Sequence, residues 1–193
     1  DILARTGHVS EAKEMYGQLL TDNPADLRTM LSLAYLLYFN GEYEEAKPLF
    51  VKYLLFEPTH QEGIVFLADS FSKTGEREEA SDLLSSLERR YPSYTPALKA
   101  IAMYHLTGKD YEKAISYYER ALKIKPDDIE GISKLADAYM AMGDSDKALA
   151  VIDEAVKRYP RDSAIMVQKG NLLLYSKNYP AAEALFLSVL EKD

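Results

Sequence analysis

Residues 30–58 read MLSLAYLLYFNGEYEEAKPLFVKYLLFEP, and the spacing inside this stretch decides the fold. Met30, Leu33, Ala34 and Leu37 fall at helical intervals, so one apolar face runs along the first half. Gly41 interrupts the pattern; glycine enters left-handed backbone readily and closes a helix. Beyond it, Ala46 and Phe50 mark one face of a second helix, and Pro58 ends that helix. The stretch predicts helix, tight turn, second helix and a proline-marked break. Pro48 lies inside the second helix, where its missing N–H removes a hydrogen bond, and a local kink is expected there.

The pattern recurs at a period of about 34 residues. Alanines fall on it at Ala12, Ala46, Ala80, Ala114, Ala148 and Ala182, and prolines at Pro24, Pro58, Pro92, Pro126 and Pro160. With 8 prolines in the chain, four later coincidences have a chance on the order of one in a few hundred thousand, so the repeat is real. Most of the alanines are preceded, five residues earlier, by glycine: Gly7, Gly41, Gly75 and Gly143. Each is followed, four residues later, by a large side chain: Tyr16, Phe50, Leu84, Tyr118, Ile152 and Phe186. In the fourth unit Gly108 stands six residues before Ala114, which predicts a slightly altered hairpin turn. Asp26, Asp128 and Asp162 each follow a lattice proline by two residues and are expected to cap the next helix. Thr95, followed by Pro96, is expected to do the same at the third break.

These units resemble the tetratricopeptide repeat, whose pattern is W-x2-L-G-x2-Y, then A-x3-F, then P. The second unit carries Met30, Leu33, Ala34 and Leu37, then Ala46, Phe50 and Pro58. The third has Ile64, Leu67, Ala68 and Phe71, then Ala80, Leu84 and Pro92. The fourth keeps the register with Leu98, Ile101, Ala102 and His105. The fifth has Ile132, Leu135, Ala136 and Tyr139, then Ala148, Ile152 and Pro160; the sixth Met166, Lys169, Gly170 and Leu173, then Ala182 and Phe186. No tryptophan occurs, so Met, Ile or Leu replaces the first motif position.

The resemblance implies an all-α, right-handed superhelical solenoid of about six antiparallel helix-turn-helix units. Their expected bounds are a partial unit at 1–26, full units at 27–60, 61–94, 95–128 and 129–162, and a nearly full unit at 163–193. Ile2 to Thr6 resemble only the tail of a first helix, and Asp193 stops one residue short of the next lattice proline. A segment of a longer array is therefore expected, because a terminal repeat needs a polar cap.

Composition narrows the function. A net charge of −8 disfavours nucleic-acid binding, which needs a clustered basic face, and disfavours an anionic membrane surface. No uninterrupted apolar run is long enough to insert in a bilayer. Without cysteine, disulfides, thiolate metal sites and cysteine nucleophiles are excluded, and either a cytoplasmic or a bacterial periplasmic location fits.

His8, His60 and His105 lie in different units, and His105 reads as a packing residue on the core register. Asp127 and Asp128 read as helix-start partners; Asp144-Ser145-Asp146 lacks the glycine and glutamate of a calcium loop. No phosphate loop, serine elbow or acid–base pair stands out, so no catalytic residue, metal site or cofactor is expected, and the chain is not expected to be an enzyme.

In the family resembled, first helices of successive units line a concave groove that holds peptides or protein segments. Helical spacing nominates Arg28, Leu31, Tyr35, Tyr38 and Phe39 in the second unit, and Glu62, Val65, Phe66, Asp69 and Lys73 in the third. The fourth offers Lys99, Met103 and Leu106, and the fifth Lys134, Asp137 and Met140. The sixth offers Val167, Asn171, Leu174 and Tyr175. Such a face is rich in residue types favoured at recognition surfaces.

A subset of the family grips a chaperone's C-terminal carboxylate through Lys, Asn and Arg on three adjacent first helices. The corresponding stretch here holds Leu31, Tyr35, Phe66, Pro96 and Ala100, so that clamp is not expected. The expected ligand is an extended, partly hydrophobic protein segment, with basic side chains meeting Asp69 and Asp137. Two other roles fit the sequence: a regulatory or substrate-recruiting arm of a larger enzyme, and a self-assembling homo-oligomer. The degenerate units resemble bacterial arrays attached to secretion, envelope or polysaccharide-export machinery.

Overall fold

The computed structural model describes residues 9–190, and among them every regular element is an α-helix. The chain divides into two compact units, residues 1–92 and 93–193, at the third lattice proline. The first contains α1 (Val9–Asp22), α2 (Leu27–Phe39), α3 (Tyr43–Phe56), α4 (Gln61–Thr74) and α5 (Arg77–Arg90). The second contains α6 (Thr95–Thr107), α7 (Tyr111–Ile124), α8 (Ile129–Met142), α9 (Ser145–Arg158), α10 (Ser163–Tyr175) and α11 (Tyr179–Leu190). Within each unit successive helices pack on one another. The expectations for Ile2 to Thr6, Gly7, His8 and Asp193 lie outside the described residues.

The helix starts explain why the breaks fall where they do. Asp26 accepts hydrogen bonds from the Arg28 and Thr29 N–H groups, Asp128 from Gly131, and Asp162 from Ile165. Each satisfies an N–H that a helix leaves open at its start. The cap at the third break is a correction: Tyr94 holds the N-cap position without a side-chain bond, and Thr95 is already helical with Pro96 behind it. At the second break the cap is His60, whose Nδ1 accepts from Gly63 N–H at 3.1 Å. Asp144 caps α9 by accepting from Lys147 N–H at 3.1 Å.

The turns between paired helices share one geometry. Gly41, Gly75 and Gly143 take left-handed backbone, with φ of 80°, 91° and 90°. The fourth hairpin does not have the altered turn expected from Gly108. Lys109 occupies the left-handed position at φ 63°, and Asp110 N–H reaches His105 O at 2.9 Å. The corresponding bond from Glu42 to Leu37 is also 2.9 Å, so the closure is the same. In the sixth hairpin Lys177 does likewise at φ 60°. The helix α3 runs unbroken past Pro48, whose ring is exposed.

The lattice alanines form the seam. Ala46, Ala80, Ala114, Ala148 and Ala182 are all 0% exposed, and Ala12 is buried as well. Their small side chains let paired helices approach, while Phe50, Leu84, Tyr118 and Ile152 fill the space left over. In the first unit the core gathers Ala34, Leu37, Ala46, Phe50 and Leu67. In the second, Ile132, Ala136, Ala148, Ile152 and Ile165 form one cluster and Ala102, Ile115, Tyr118 and Leu135 another. Full burial of such side chains contributes roughly 1.5–3 kcal/mol each.

Two cation centres tie hairpins together. Lys47, almost fully buried, donates to Thr74 Oγ1 at 3.1 Å, pairs with Glu44 at 2.7 Å and also pairs with Glu76. Lys99 pairs with Asp128 at 2.9 Å and with Glu130 at 2.7 Å, linking α6 to the start of α8. Burial opposes the Lys99 charge, but the Glu130 and Asp128 partners prevail and raise its pKa.

Candidate functional site

The first helices of the repeats, α2, α4, α6, α8 and α10, position the nominated residues, and none of those residues is fully buried. In the first unit, α2 and α4 bring four aromatic rings together. Phe66 lies 5.0 Å from Tyr35, 4.6 Å from Tyr38 and 5.5 Å from Phe39, centroid to centroid, each in an edge-on arrangement. Phe66 also stacks on Phe50 at 6.2 Å, so the cluster is rooted in the core. Such edge-to-face pairs add about 0.5–1.5 kcal/mol beyond their buried area. The outermost ring is Phe39, 73% exposed, held from the side by Tyr38 at 5.3 Å.

Leu31, Tyr35, Tyr38 and Phe66 all pack on the buried cluster around Phe50 while keeping an exposed edge. Val65 is half-buried, and Arg28 and Lys73 are exposed. Asp69 is not waiting for a basic group, because the Tyr38 hydroxyl already donates to it. Burial, followed by that hydrogen bond, pushes the Tyr38 phenol far above its ordinary pKa, so the ring stays neutral.

In the second unit α8 and α10 border an open cleft of about 320 Å³, lined by Asp137, Met140, Ala141, Gln168, Asn171, Leu172 and Tyr175. Four of the nominated residues therefore converge there. Tyr175 is 70% exposed and Asn171 is exposed, whereas Leu172 forms the buried floor. Asp137 is engaged within the chain, accepting from Gln168 Nε2 at 2.7 Å and pairing with Lys134 at 3.5 Å. Met103 is half-buried on α6, and Leu106 packs on the cluster around Tyr118. Lys99 is drawn to Asp128 and Glu130.

Gln168 and Leu172 escaped the sequence reading. Gln168 stands one lattice period after Lys134, so the repeat itself carried a signal for it. Leu172 is 5% exposed, and its place in the cleft depends on the packing of α10.

His105 is a packing residue: its ring stacks on Tyr117 at 5.7 Å, with Nδ1 3.5 Å from Asp110. Among the described residues no group of three or more His, Asp or Glu is placed to hold a metal ion. No described helix is long and apolar enough to cross a membrane. The cleft and the aromatic cluster supply apolar contact and hydrogen bonding, and neither brings together a nucleophile, base and orienting group.

Two tetratricopeptide-repeat family models match the chain, one over residues 1–54 and 67–129 and the other over 105–165. Mouse tetratricopeptide repeat protein 21A is 29% identical over 92 residues, which is 48% of this chain and 7% of that protein. Among solved structures, a tetratricopeptide repeat protein from Parabacteroides merdae superposes with a TM-score of 0.76. It is 16% identical, with 99% of this chain and 76% of that chain covered. A thermophilic TPR protein of Thermus thermophilus gives a TM-score of 0.74 at 24% identity, covering 89% of this chain and 94% of that one. These likenesses establish a helical-repeat solenoid fold. Repeats of this kind generally mediate protein–protein interaction as non-catalytic scaffolds. The chain belongs to the tetratricopeptide-repeat family.

Proposed function

We propose that the first-helix faces bind an extended, partly apolar peptide or protein segment. The observation that carries this reading is Phe39, 73% exposed at the edge of a four-ring cluster. An exposed phenylalanine gains nothing from water, and neighbouring rings limit the entropy lost when a partner covers it. The cleft at Asp137, Met140, Asn171 and Tyr175 offers the same combination of an apolar surface and a few fixed polar groups. Since Asp69 and Asp137 have internal partners, recognition there runs through rings, methionine and amide groups instead of free carboxylates.

The test is affinity capture from a cell lysate by the chain and by a Phe39→Asp/Tyr175→Asp variant. Both side chains are largely exposed, so the variant keeps its fold. Proteins retained by the parent and lost by the variant are the expected result. Equal capture by the two would remove both surfaces from the binding role.

A further inference from the structure

Each compact unit carries a recess between second helices, at corresponding positions of the repeat. In the first unit a small recess of about 170 Å³ lies between α3 and α5, bounded by Leu54, Pro58, Ile64, Leu83, Leu87 and Arg90. Two periods later the counterparts Leu122, Pro126, Ile132, Val151, Ala155 and Arg158 bound a recess of about 460 Å³ between α7 and α9. Leu87, 1% exposed, borders the first recess; the same lattice position holds Ala121 and Ala155 in the next two repeats, and Val151 stands where the first recess has Leu83.

We propose that the recess at Ala155 is a second docking site, occupied by a protein segment that presents one large apolar side chain among carboxylates. At about 460 Å³ the recess takes a Leu, Phe or Met side chain with room left for the residues beside it, and Leu122, Ile132, Val151 and Ala155 give it apolar walls. The recess is open to solvent, so a small molecule would remain largely wet, whereas a protein segment brings its own cover.

Charge selects the flanks of that segment. The protein is acidic overall at −8, yet Arg158 borders the recess, and Lys123, Lys125 and Arg161 are exposed within three residues of lining residues at the C-terminal ends of α7 and α9. These bases complement the negative ends of their helices, which keeps them at the surface. Arg158 spends one N–H on Pro126 O, at 3.2 Å, which fixes its guanidinium at the rim; its remaining donors suit a carboxylate. The acidic residue lining the recess, Glu154, is paired with Lys157 at 3.7 Å.

The experiment uses the whole chain and short fluorescein-labelled peptides with one central Leu, Ile, Phe or Met. One set has Asp and Glu flanks and the other has Lys flanks. Anisotropy should show binding of the acidic set, weakened by added salt. Ala155→Leu places in the recess the side chain that Leu87 carries at the corresponding position and should lower affinity by about tenfold or more. Arg158→Glu, at an exposed site, should do so as well, while Phe39→Asp/Tyr175→Asp should leave it unchanged. The proposal is overturned by undiminished binding to both recess variants, by equal binding of the lysine-flanked set, or by binding of neither set.

Discussion

A β-carbon added to Gly170 would sit 2.5 Å from Cε1 and Cζ of Phe186. At the same lattice position the earlier units carry Ala34, Ala68, Ala102 and Ala136, all 0% exposed, in hairpins whose second helices carry Phe50, Leu84, Tyr118 and Ile152. The last hairpin has exchanged the methyl group of α10 for a closer aromatic ring from α11. Gly170→Ala would gain roughly 1 kcal/mol of helix propensity. The displaced ring costs about 1–3 kcal/mol, so the net expectation is a destabilisation of about 1 kcal/mol. Urea unfolding should show it, and Phe186→Leu in the same chain should relieve it. A Gly170→Ala protein more stable than the parent would mean that the ring moves aside freely.

Lys109 provides a prediction of opposite sign. Its left-handed φ of 63° costs an L-residue about 1–2 kcal/mol, against the extra chain entropy of glycine, roughly 0.5–1 kcal/mol. Lys109→Gly should therefore stabilise by about 0.5–1 kcal/mol. Gly143→Ala, at φ 90°, should destabilise by about 1 kcal/mol or more. Thermal unfolding of the two variants beside the parent separates them by the sign of the change in Tm.

These turns also show what was legible in the sequence. Among the described residues the alanine lattice located the hairpins from α2 to α11, because a buried seam admits no larger residue and repeats with the helix pair. Gly108 misled because glycine eases a left-handed turn but does not impose its position; the five-residue approach to Ala114 is set by packing of α6 on α7, and Lys109 had to comply. Thr95 misled because proline is accepted at either of the first helical positions, and here the helix begins one residue earlier, with Tyr94 at the N-cap. His60 was missed as a cap because its ring, unlike an aspartate, gives no strong capping signal. The candidate face was legible as a set of first-helix positions left partly exposed. Which charges on that face were already spent was not, because Tyr38 with Asp69 and Gln168 with Asp137 are contacts between consecutive repeats.

Acid stability should depend on Asp128. Burial pushes its carboxyl up, but the Lys99 ion pair and the Gly131 N–H together hold it below the usual carboxylate range. A depressed folded pKa means stability present above the unfolded value of about 4 and lost as pH falls through the folded value. Asp128→Asn keeps a good cap and abolishes the charge, so it should lower stability at pH near 7 and flatten the loss between about pH 5 and 2. Asp128→Ala should be worse than Asn by about 1 kcal/mol, the value of the cap. Urea midpoints at neutral and acid pH for the three proteins measure both effects; parallel acid profiles for parent and Asn variant would assign the pH dependence elsewhere.

Phe39 and Phe66 should separate binding from folding. Their rings are 5.5 Å apart, yet Phe66 reaches the Phe50 core and Phe39 is 73% exposed. Phe66→Ala should cost about 2–3 kcal/mol, somewhat below the roughly 3–5 kcal/mol of a fully buried phenylalanine, in proportion to its exposed edge. Phe39→Ala should change stability by no more than about 0.5 kcal/mol. Any partner of the first-helix face in the first unit should nevertheless lose affinity with both variants. Denaturant titration and affinity measured on the same preparations make the comparison direct. If Phe39→Ala proved as destabilising as Phe66→Ala, the exposed ring would belong to the fold, and its claim on a partner would lapse.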